Sequence, residues 1–377
     1  MKIAITGHDG FIGTHLLNTL IYKKGFEKNS FICIDKEDFN NNENLKNKLN
    51  DCSIIVHLAG INRHNDVDFL YQENIRLTKF IIENVSEITK TIIFASSIQQ
   101  DLNNPFGKSK LKCVQLFKKW AITNNSKFVN LKIPNIFGPF GIPNYNSFIS
   151  TFCHNLILNK KCEVNDGNKL NILYIDYLID AFQSLITDLI ENVDDNKVIE
   201  ISNFNGIVSV NVKEVFNILE TQWKVYENNI IPNISSAFER DLFNTLRSFI
   251  PIDNYFPKKS TKHIDERGFF SEIIKTNSGG QFSISSTISG ITRGNHFHTR
   301  KIERFTVIQG NALVELRKIN SNKKFSIKLD GNNLNHIDIP IWYTHNIANI
   351  GDETLVTLFW INEPYDSENS DTYFIKV

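Results

Sequence analysis

Thr6-Gly7-His8-Asp9-Gly10-Phe11-Ile12-Gly13 sets three glycines three residues apart, directly after an apolar run and before a helical one. Such a loop lets backbone N–H groups close on a pyrophosphate, which then rests on the helix N-terminus. Gly7, Asp9, Gly10, Phe11, Ile12 and Gly13 are the residues expected to line a dinucleotide there. Asp35 ends the next apolar run, where a carboxylate would bond the ribose hydroxyls and favour NAD(H). Lys36, beside it, would favour the 2′-phosphate of NADP(H), and the two signals conflict. Far along the chain, His296 and His298 stand two apart in a strand-like run, so both imidazoles point to one face. A histidine pair of that kind holds a metal only when further ligands join it.

The elements that must position these groups change character along the chain. Lys2–Thr6, Phe31–Asp35, Ile54–Gly60, Thr91–Ser97 and Phe128–Pro134 read as short buried strands. Between them Ile12–Lys23, Asn74–Val85 and Lys108–Ile122 carry apolar residues at helical spacing. This alternation predicts an α/β, doubly wound parallel sheet of the Rossmann type, with ligands beyond the carboxyl ends of its strands. Pro251, Pro257 and the polar stretch 258–262 then read as a linker. Beyond it come Phe282–Ile288, Arg304–Ile308, Ala312–Lys318, Lys324–Leu329, His336–Ile339 and Leu355–Ile361, punctuated by glycine turns. That pattern predicts an all-β barrel or sandwich. The expected domains are 1–255 and 256–377.

Composition narrows the function classes. The 377 residues hold 41 Lys+Arg against 41 Asp+Glu, so no basic excess points to nucleic acid. A single phosphorylated small molecule, gripped locally by N–H groups, suits that balance. The five cysteines form no C-x-x-C pair, as expected of reduced thiols in the cytoplasm. The opening apolar run is too short for a signal peptide and no long apolar stretch follows, so neither secretion nor a membrane partner is expected.

Several motifs together make residues 1–250 resemble the extended short-chain dehydrogenase/reductase family. His57-Leu58-Ala59-Gly60 resembles its cofactor-lining strand end, and Asn74 its helix asparagine. Phe94-Ala95-Ser96-Ser97 resembles the strand carrying the catalytic hydroxyl, and Asn104-Pro105-Phe106-Gly107-Lys108-Ser109-Lys110 the Tyr-x-x-x-Lys segment. Ile133-Pro134-Asn135-Ile136-Phe137-Gly138-Pro139 resembles the stretch touching nicotinamide and sugar. The resemblance implies cofactor contacts at Leu58, Ala59, Gly60, Asn74, Lys110 and Pro134, and catalysis by Ser97, Lys110 and position 106. Phe106 stands where the family has its catalytic tyrosine, and phenylalanine has no exchangeable proton. Three readings stay open: a phenylalanine introduced for a natural tyrosine, a domain that lost its redox step, or a water or another side chain in place of the phenol.

The second half resembles the cupins. Gly290, His296, His298, Glu303 and Gly310 fall at the positions of the first cupin motif, and Pro340 through Asn349 resembles the second, with Trp342 where glycine is usual. The resemblance implies a site of His296, His298, Glu303 and His345, a set that suits Zn²⁺. His263–Glu272 and Arg293-Gly294-Asn295-His296 resemble deoxysugar-nucleotide epimerases, in which the histidine is the base and no metal is needed. His296 is therefore expected as ligand or as base, and a purely structural zinc stays open.

The whole chain resembles bifunctional capsular-polysaccharide enzymes that fuse such a reductase to a cupin. The similar stretches include Pro143–Ser147, Asn165-Asp166 and Asp371–Phe374. The resemblance implies C-3 epimerisation, then C-4 reduction, of a UDP-linked 4-keto-6-deoxy-2-acetamido sugar, giving the L-talose configuration. It also implies sugar or nucleotide contacts at Ser97, Asn135, Asn144, Tyr145, Asn146, Arg267 and Arg293, and a homodimer. A non-catalytic sensor with a degenerate cofactor site and a structural metal is the alternative that Phe106 supports.

Overall fold

The computed structural model describes residues 2–164, 167, 169–191, 198–259, 263–265, 268–270, 275–276, 280–363 and 366–377. Arg267 and the Asn165-Asp166 pair lie outside the described residues. The chain divides into two compact units, Met1–Phe148 with Gly167–Asn211, and Ile149–Asp166 with Val212–Val377.

The first unit is built from alternating strands and helices: β1 (Lys2–Thr6), α1 (Phe11–Asn18), β2 (Phe31–Ile34), α2 (Asn42–Leu49), β3 (Cys52–His57), α3 (Val67–Asn84), β4 (Thr91–Ser97), α4 (Pro105–Thr123) and β5 (Lys127–Ile133). β6 (Asn135–Phe137), α5 (Phe148–Ile157), β7 (Leu170–Tyr174), α6 (Ile175–Glu191), β8 (Val198–Ile201) and β9 (Val208–Val210) follow, α5 packing with the second unit. Six strands form a parallel sheet in the order β2-β1-β3-β4-β5-β8. The order reverses between β1 and β3, which opens a crevice past Thr6 and His57. The sheet is buried because its strands carry Ile, Val and Phe on both faces. Phe94, Phe117 and Phe128 pack together in this core with His57 stacked on Phe94. The expected strands 2–6 and 91–97 stand as read, while α3 begins seven residues earlier than its apolar spacing shows, because Asp66 caps its first N–H groups.

The second unit adds α7 (Val212–Glu227), β10 (Ile230–Ile231), α8 (Ala237–Arg247) and α9 (Ile252–Tyr255) to a β-rich body. Its strands are β11 (His263–Asp265), β12 (Gly268–Phe270), β13 (Lys275–Thr276), β14 (Gln281–Thr287), β15 (Thr292–Phe297), β16 (Glu303–Gln309), β17 (Asn311–Lys318), β18 (Lys324–Asp330), β19 (His336–Ile339), β20 (Tyr343–Asn349), β21 (Leu355–Ile361) and β22 (Tyr373–Phe374). Two antiparallel sheets result, β14-β21-β16-β19 and β18-β17-β20-β15-β22. Both β15 and β20, which carry histidines, escape the hydrophobic pattern because polar residues interrupt them.

A buried ion pair ties helices to sheet within this unit. On neighbouring strands Arg304 faces Asp338, its Nε and Nη2 donating to the carboxylate at 2.6 and 2.9 Å. Tyr226 of α7 donates its hydroxyl to the same carboxylate, and Arg247 of α8 donates to the Ile339 carbonyl at 2.7 Å. Burial alone would raise the Asp338 carboxyl; the Arg304 guanidinium overrides it and holds the group below the ordinary range. That part of the stability is present above the unfolded carboxylate value near pH 4 and is lost as pH falls toward the folded one. Asp338→Asn leaves Arg304 charged and half-satisfied in the interior. We expect it to cost about 3–5 kcal/mol, read as a lowered denaturant midpoint in urea unfolding.

Candidate active sites

The crevice of the first unit is shaped by backbone contact. Gly7 has φ +64° and a Cβ there would stand 2.9 Å from the Ala59 nitrogen; one on Gly13 would stand 2.2 Å from the Gly7 carbonyl oxygen. No larger residue fits this turn, so the glycine spacing is a packing requirement. Thr6 Oγ1 accepts from the N–H groups of Leu58 and Ala59 at 3.2 and 3.0 Å and partners His57 Nδ1 at 2.9 Å, which joins the ends of β1 and β3. Burial pushes the His57 imidazole down to about 3, so it is neutral here.

Past β2, Asp35 is exposed and meets His8 Nε2 at 3.0 Å and Lys48 Nζ at 3.3 Å. The His8 hydrogen bond, followed by Lys48, holds its carboxyl below the usual value. Asp35, Lys36, Glu37, Asp38, Asn44 and Lys48 line a cleft of about 560 Å³. Lys48 is committed to Asp35 and, at 2.6 Å, to Asp38. Neither His8 nor Lys48 was singled out by sequence, because His8 fills a variable position of the glycine loop and Lys48 belongs to no spaced motif.

The segment expected to be catalytic assembles one strand further on. Ser97 ends β4, with Oγ accepting from the Gln99 N–H at 3.2 Å. Gly107 presses α4 against the loop after β4, since a Cβ there would meet the Gln99 carbonyl oxygen at 2.0 Å. Phe106 thus enters the helix beside the crevice, and Lys110 lies one turn along. Lys110 is buried, donates to the Ala95 carbonyl at 2.9 Å, and sits 4.6 Å from the Phe94 ring centre and 5.7 Å from that of Phe106. Burial brings its ammonium down to about 8. A Cβ on Gly60 would stand 3.1 Å from Asn74 Oδ1 and 3.5 Å from Lys110 Nζ, so these three residues meet. Asn74 is buried and bonds Ile61 N and O at 2.8 and 2.9 Å and Ser109 Oγ at 3.0 Å; its amide clamps the loop after β3.

Of the other expected contacts, Asp9, Lys36 and Asn135 are exposed, Pro134 is buried, and Phe11 packs by Gly138. Asn144, Tyr145 and Asn146 form an exposed loop to whose Tyr145 carbonyl Arg63 donates at 3.1 Å, a cation the motifs do not flag.

The second site lies inside the β-rich body. His296 of β15 pairs in register with His345 of β20, their ring centres 4.6 Å apart, after a bulge at Asn295 (φ +60°). His298 follows the strand, and Glu303 opens β16. The ligating atoms of His296, His298, Glu303 and His345 all lie within 4.8 Å of one another. Glu303 Oε2 is 3.0 Å from His298 Nε2 and 3.3 Å from His345 Nε2, yet all three atoms are buried without an aligned hydrogen bond. Orphaned lone pairs that converge in this way fit a cation, because their burial costs free energy unless one binds. Burial would raise the Glu303 carboxyl, but His298 and then His345 hold it well below its ordinary range. Trp342, where glycine is usual, has φ +61°, stacks its ring 5.3 Å from Phe297 and donates its backbone N–H to the His298 carbonyl at 2.8 Å. Arg293 is exposed on β15.

The sequence pattern of the NAD dependent epimerase/dehydratase family matches residues 3–201. The chain belongs to that family. Its members' nicotinamide dinucleotide suits the crevice described above, and a polysaccharide biosynthesis C-terminal domain matches residues 263–373. The chain is 30% identical to the Pseudomonas aeruginosa UDP-2-acetamido-2,6-beta-L-arabino-hexul-4-ose reductase over 100% of this chain and 99% of that one. The capsular polysaccharide assembling protein CapF from Staphylococcus aureus matches with a TM-score of 0.59 and 32% identity over the full length of both chains. UDP-glucose 4-epimerase from Thermotoga maritima shares the fold, with a TM-score of 0.52 and 18% identity over 66% of this chain and 98% of its own. No helix among the described residues is long and apolar enough to cross a membrane.

Lys110 gives this family member a testable energetic signature. A lysine held at about 8, below its unfolded value, destabilises the fold at neutral pH. The unfolded chain binds more protons between the two values, so stability rises with pH across that window. Lys110→Met removes the cost but loses the Ala95 bond. We expect a net gain of about 1–2 kcal/mol at pH 7, shrinking above pH 8, in thermal unfolding of the cofactor-free protein.

Proposed function

We propose that the chain is a bifunctional nucleotide-sugar enzyme of capsular polysaccharide synthesis, acting in the cytoplasm on a UDP-linked 4-keto-6-deoxy-2-acetamido sugar. Residues 256–377 epimerise C-3 and residues 1–255 reduce C-4, giving UDP-2-acetamido-2,6-dideoxy-L-talose. The observation that carries this reading is the likeness, spanning both units, to the P. aeruginosa reductase. The order follows from chemistry, because reducing the ketone first would remove the acidity that epimerisation needs.

His298, Glu303 and His345 would hold Zn²⁺, and their orphaned buried atoms support that assignment. A bound divalent metal supplies Lewis acidity to a carbonyl oxygen and so acidifies the neighbouring C–H. His296, half-buried where the other two histidines are fully buried, stands at the accessible side of this group. It completes the ligand set or moves the C-3 proton. Arg267 and Arg293 are proposed contacts to the diphosphate.

NAD(H) or NADP(H) would lie along Gly7–Gly13, with its adenosine ribose toward Asp35 and Lys36. Its reduced nicotinamide supplies hydride. Ser97 and Lys110 hold the ketone oxygen, and Asn135 with Asn144–Asn146 contacts the sugar or nucleotide. With Phe106 present, water or another side chain would supply the alkoxide's proton. A homodimer is also proposed: among the described residues strand β14 pairs with β21 alone, and it exposes Phe282, Ile284 and, just beyond it, Ile288 by 53, 67 and 68%.

Incubation of the protein with the keto-sugar in deuterated water, without nicotinamide, should place deuterium at C-3; no exchange would sink the epimerase. Phe106→Tyr should raise the rate of ketone reduction by about 10²–10⁴-fold, followed as loss of reduced nicotinamide absorbance with each of the two cofactors. A Tyr variant that binds cofactor yet leaves the ketone intact would favour the non-redox sensor, which Phe106 itself supports.

A further inference from the structure

Segment 371–377 touches every strand that carries a histidine of the metal cluster. Its β22 pairs with β15, setting Phe374 opposite His296 and Tyr373 opposite Phe297. Ile375 N–H donates to the Asn295 carbonyl at 2.9 Å, in the bulge that turns His296 toward the cluster. Thr344, next to His345, donates its hydroxyl to the Ile375 carbonyl.

Asp371 concentrates this bracing in one residue. It is 4% exposed and has φ +45°. Its carbonyl oxygen lies 2.6 Å from His298 Nδ1. A carbonyl can only accept, so Nδ1 carries the proton and Nε2 keeps the lone pair that faces Glu303. Its carboxylate meanwhile accepts from three successive backbone N–H groups: Thr299 at 3.2 Å, Arg300 at 2.9 Å and Lys301 at 3.1 Å. The Thr299 hydroxyl adds a fourth bond at 2.6 Å. Residues 299–302 are the whole connection between His298 and Glu303, so one carboxylate sets the spacing of two ligands.

We infer that Asp371 is a positioning residue for the metal centre: its carbonyl selects the His298 tautomer, and its carboxylate fixes the loop joining His298 to Glu303. The inference rests on the metal reading of the preceding subsection. Partners one step behind a metal ligand characteristically change affinity by about 10–100-fold when removed.

The test is zinc affinity, by competition with a chromophoric chelator, beside apo-protein unfolding. Asp371→Gly keeps the positive φ and removes the carboxylate. Asp371→Asn keeps φ and shape but turns a donor toward the N–H groups. Both should raise the zinc Kd by about 10–100-fold, with the apo Tm falling much less than the zinc-bound Tm. Leu329→Ala, a core truncation on β18, should lower both Tm values together and leave the Kd at the parent's value. If Asp371→Gly does not fold, Asp371→Asn and Thr299→Val carry the same comparison. Variants that bind zinc with the parent's Kd would overturn the inference while leaving the metal site standing. A parent protein without stoichiometric zinc would overturn both.

Discussion

A carboxylate buried among three imidazoles is the constraint around which the second unit is arranged. Glu303, His298 and His345 place lone pairs a hydrogen bond's length apart without making the bonds, and an interior seldom tolerates that. Strand register brings His296 beside His345, while residues in left-handed conformations flank the cluster: Asn295 before His296, Trp342 three residues before His345, and Asp371 behind His298. Each such residue costs backbone free energy that the surrounding bonds must offset, as is common where geometry serves a site. Trp342 shows how: its ring stacks on Phe297 and its backbone N–H bonds the His298 carbonyl, so the bulky residue is held where glycine would be easier.

The first unit meets a different constraint, the close approach of backbone to backbone. Gly7 against Ala59, Gly13 against Gly7, and Gly107 against Gln99 bring the loop, β3 and the start of α4 nearer than any side chain permits. Burial shifts both Lys110, which reaches Gly60, and His57, stacked on Phe94, toward their neutral forms. Phe106 adds a second aromatic face beside the Lys110 ammonium where the family places a phenol. Unlike a phenol, Phe106 has no exchangeable proton to give.

The buried Arg304–Asp338–Tyr226 group accounts for the grouping of α7 and α8 with the β strands. The outer face of β16 and β19 carries Arg304, Thr306, His336 and Asp338, all of them buried. A polar face of this kind needs polar partners, which Tyr226 and Arg247 provide. The same strand presents Glu303 to the histidine cluster, so the pair that anchors the helices also borders that site.

The sequence by itself determined the two architectures and the residue types of both sites. Periodicity of apolar residues reports burial directly, so the parallel strands and most of the antiparallel ones were legible, and glycine or histidine spacing within one segment was legible for the same reason. Polar strand β20 was not, and β15 only at its histidine, because their partners and not their hydrophobicity keep them in the sheets. Nor was the service of Asn74, whose amide clamps a loop, or that of His8, Lys48, Arg63 and Asp371. These four acquire their roles by meeting residues from 10 to 82 positions away, a proximity that no local pattern encodes. Tertiary structure alone decided that His296, His298, Glu303 and His345 converge within 4.8 Å and that helices after residue 212 join the β-rich unit. The physical reason is one and the same: buried charge and hydrogen-bonding groups must find partners, and those partners are chosen in space.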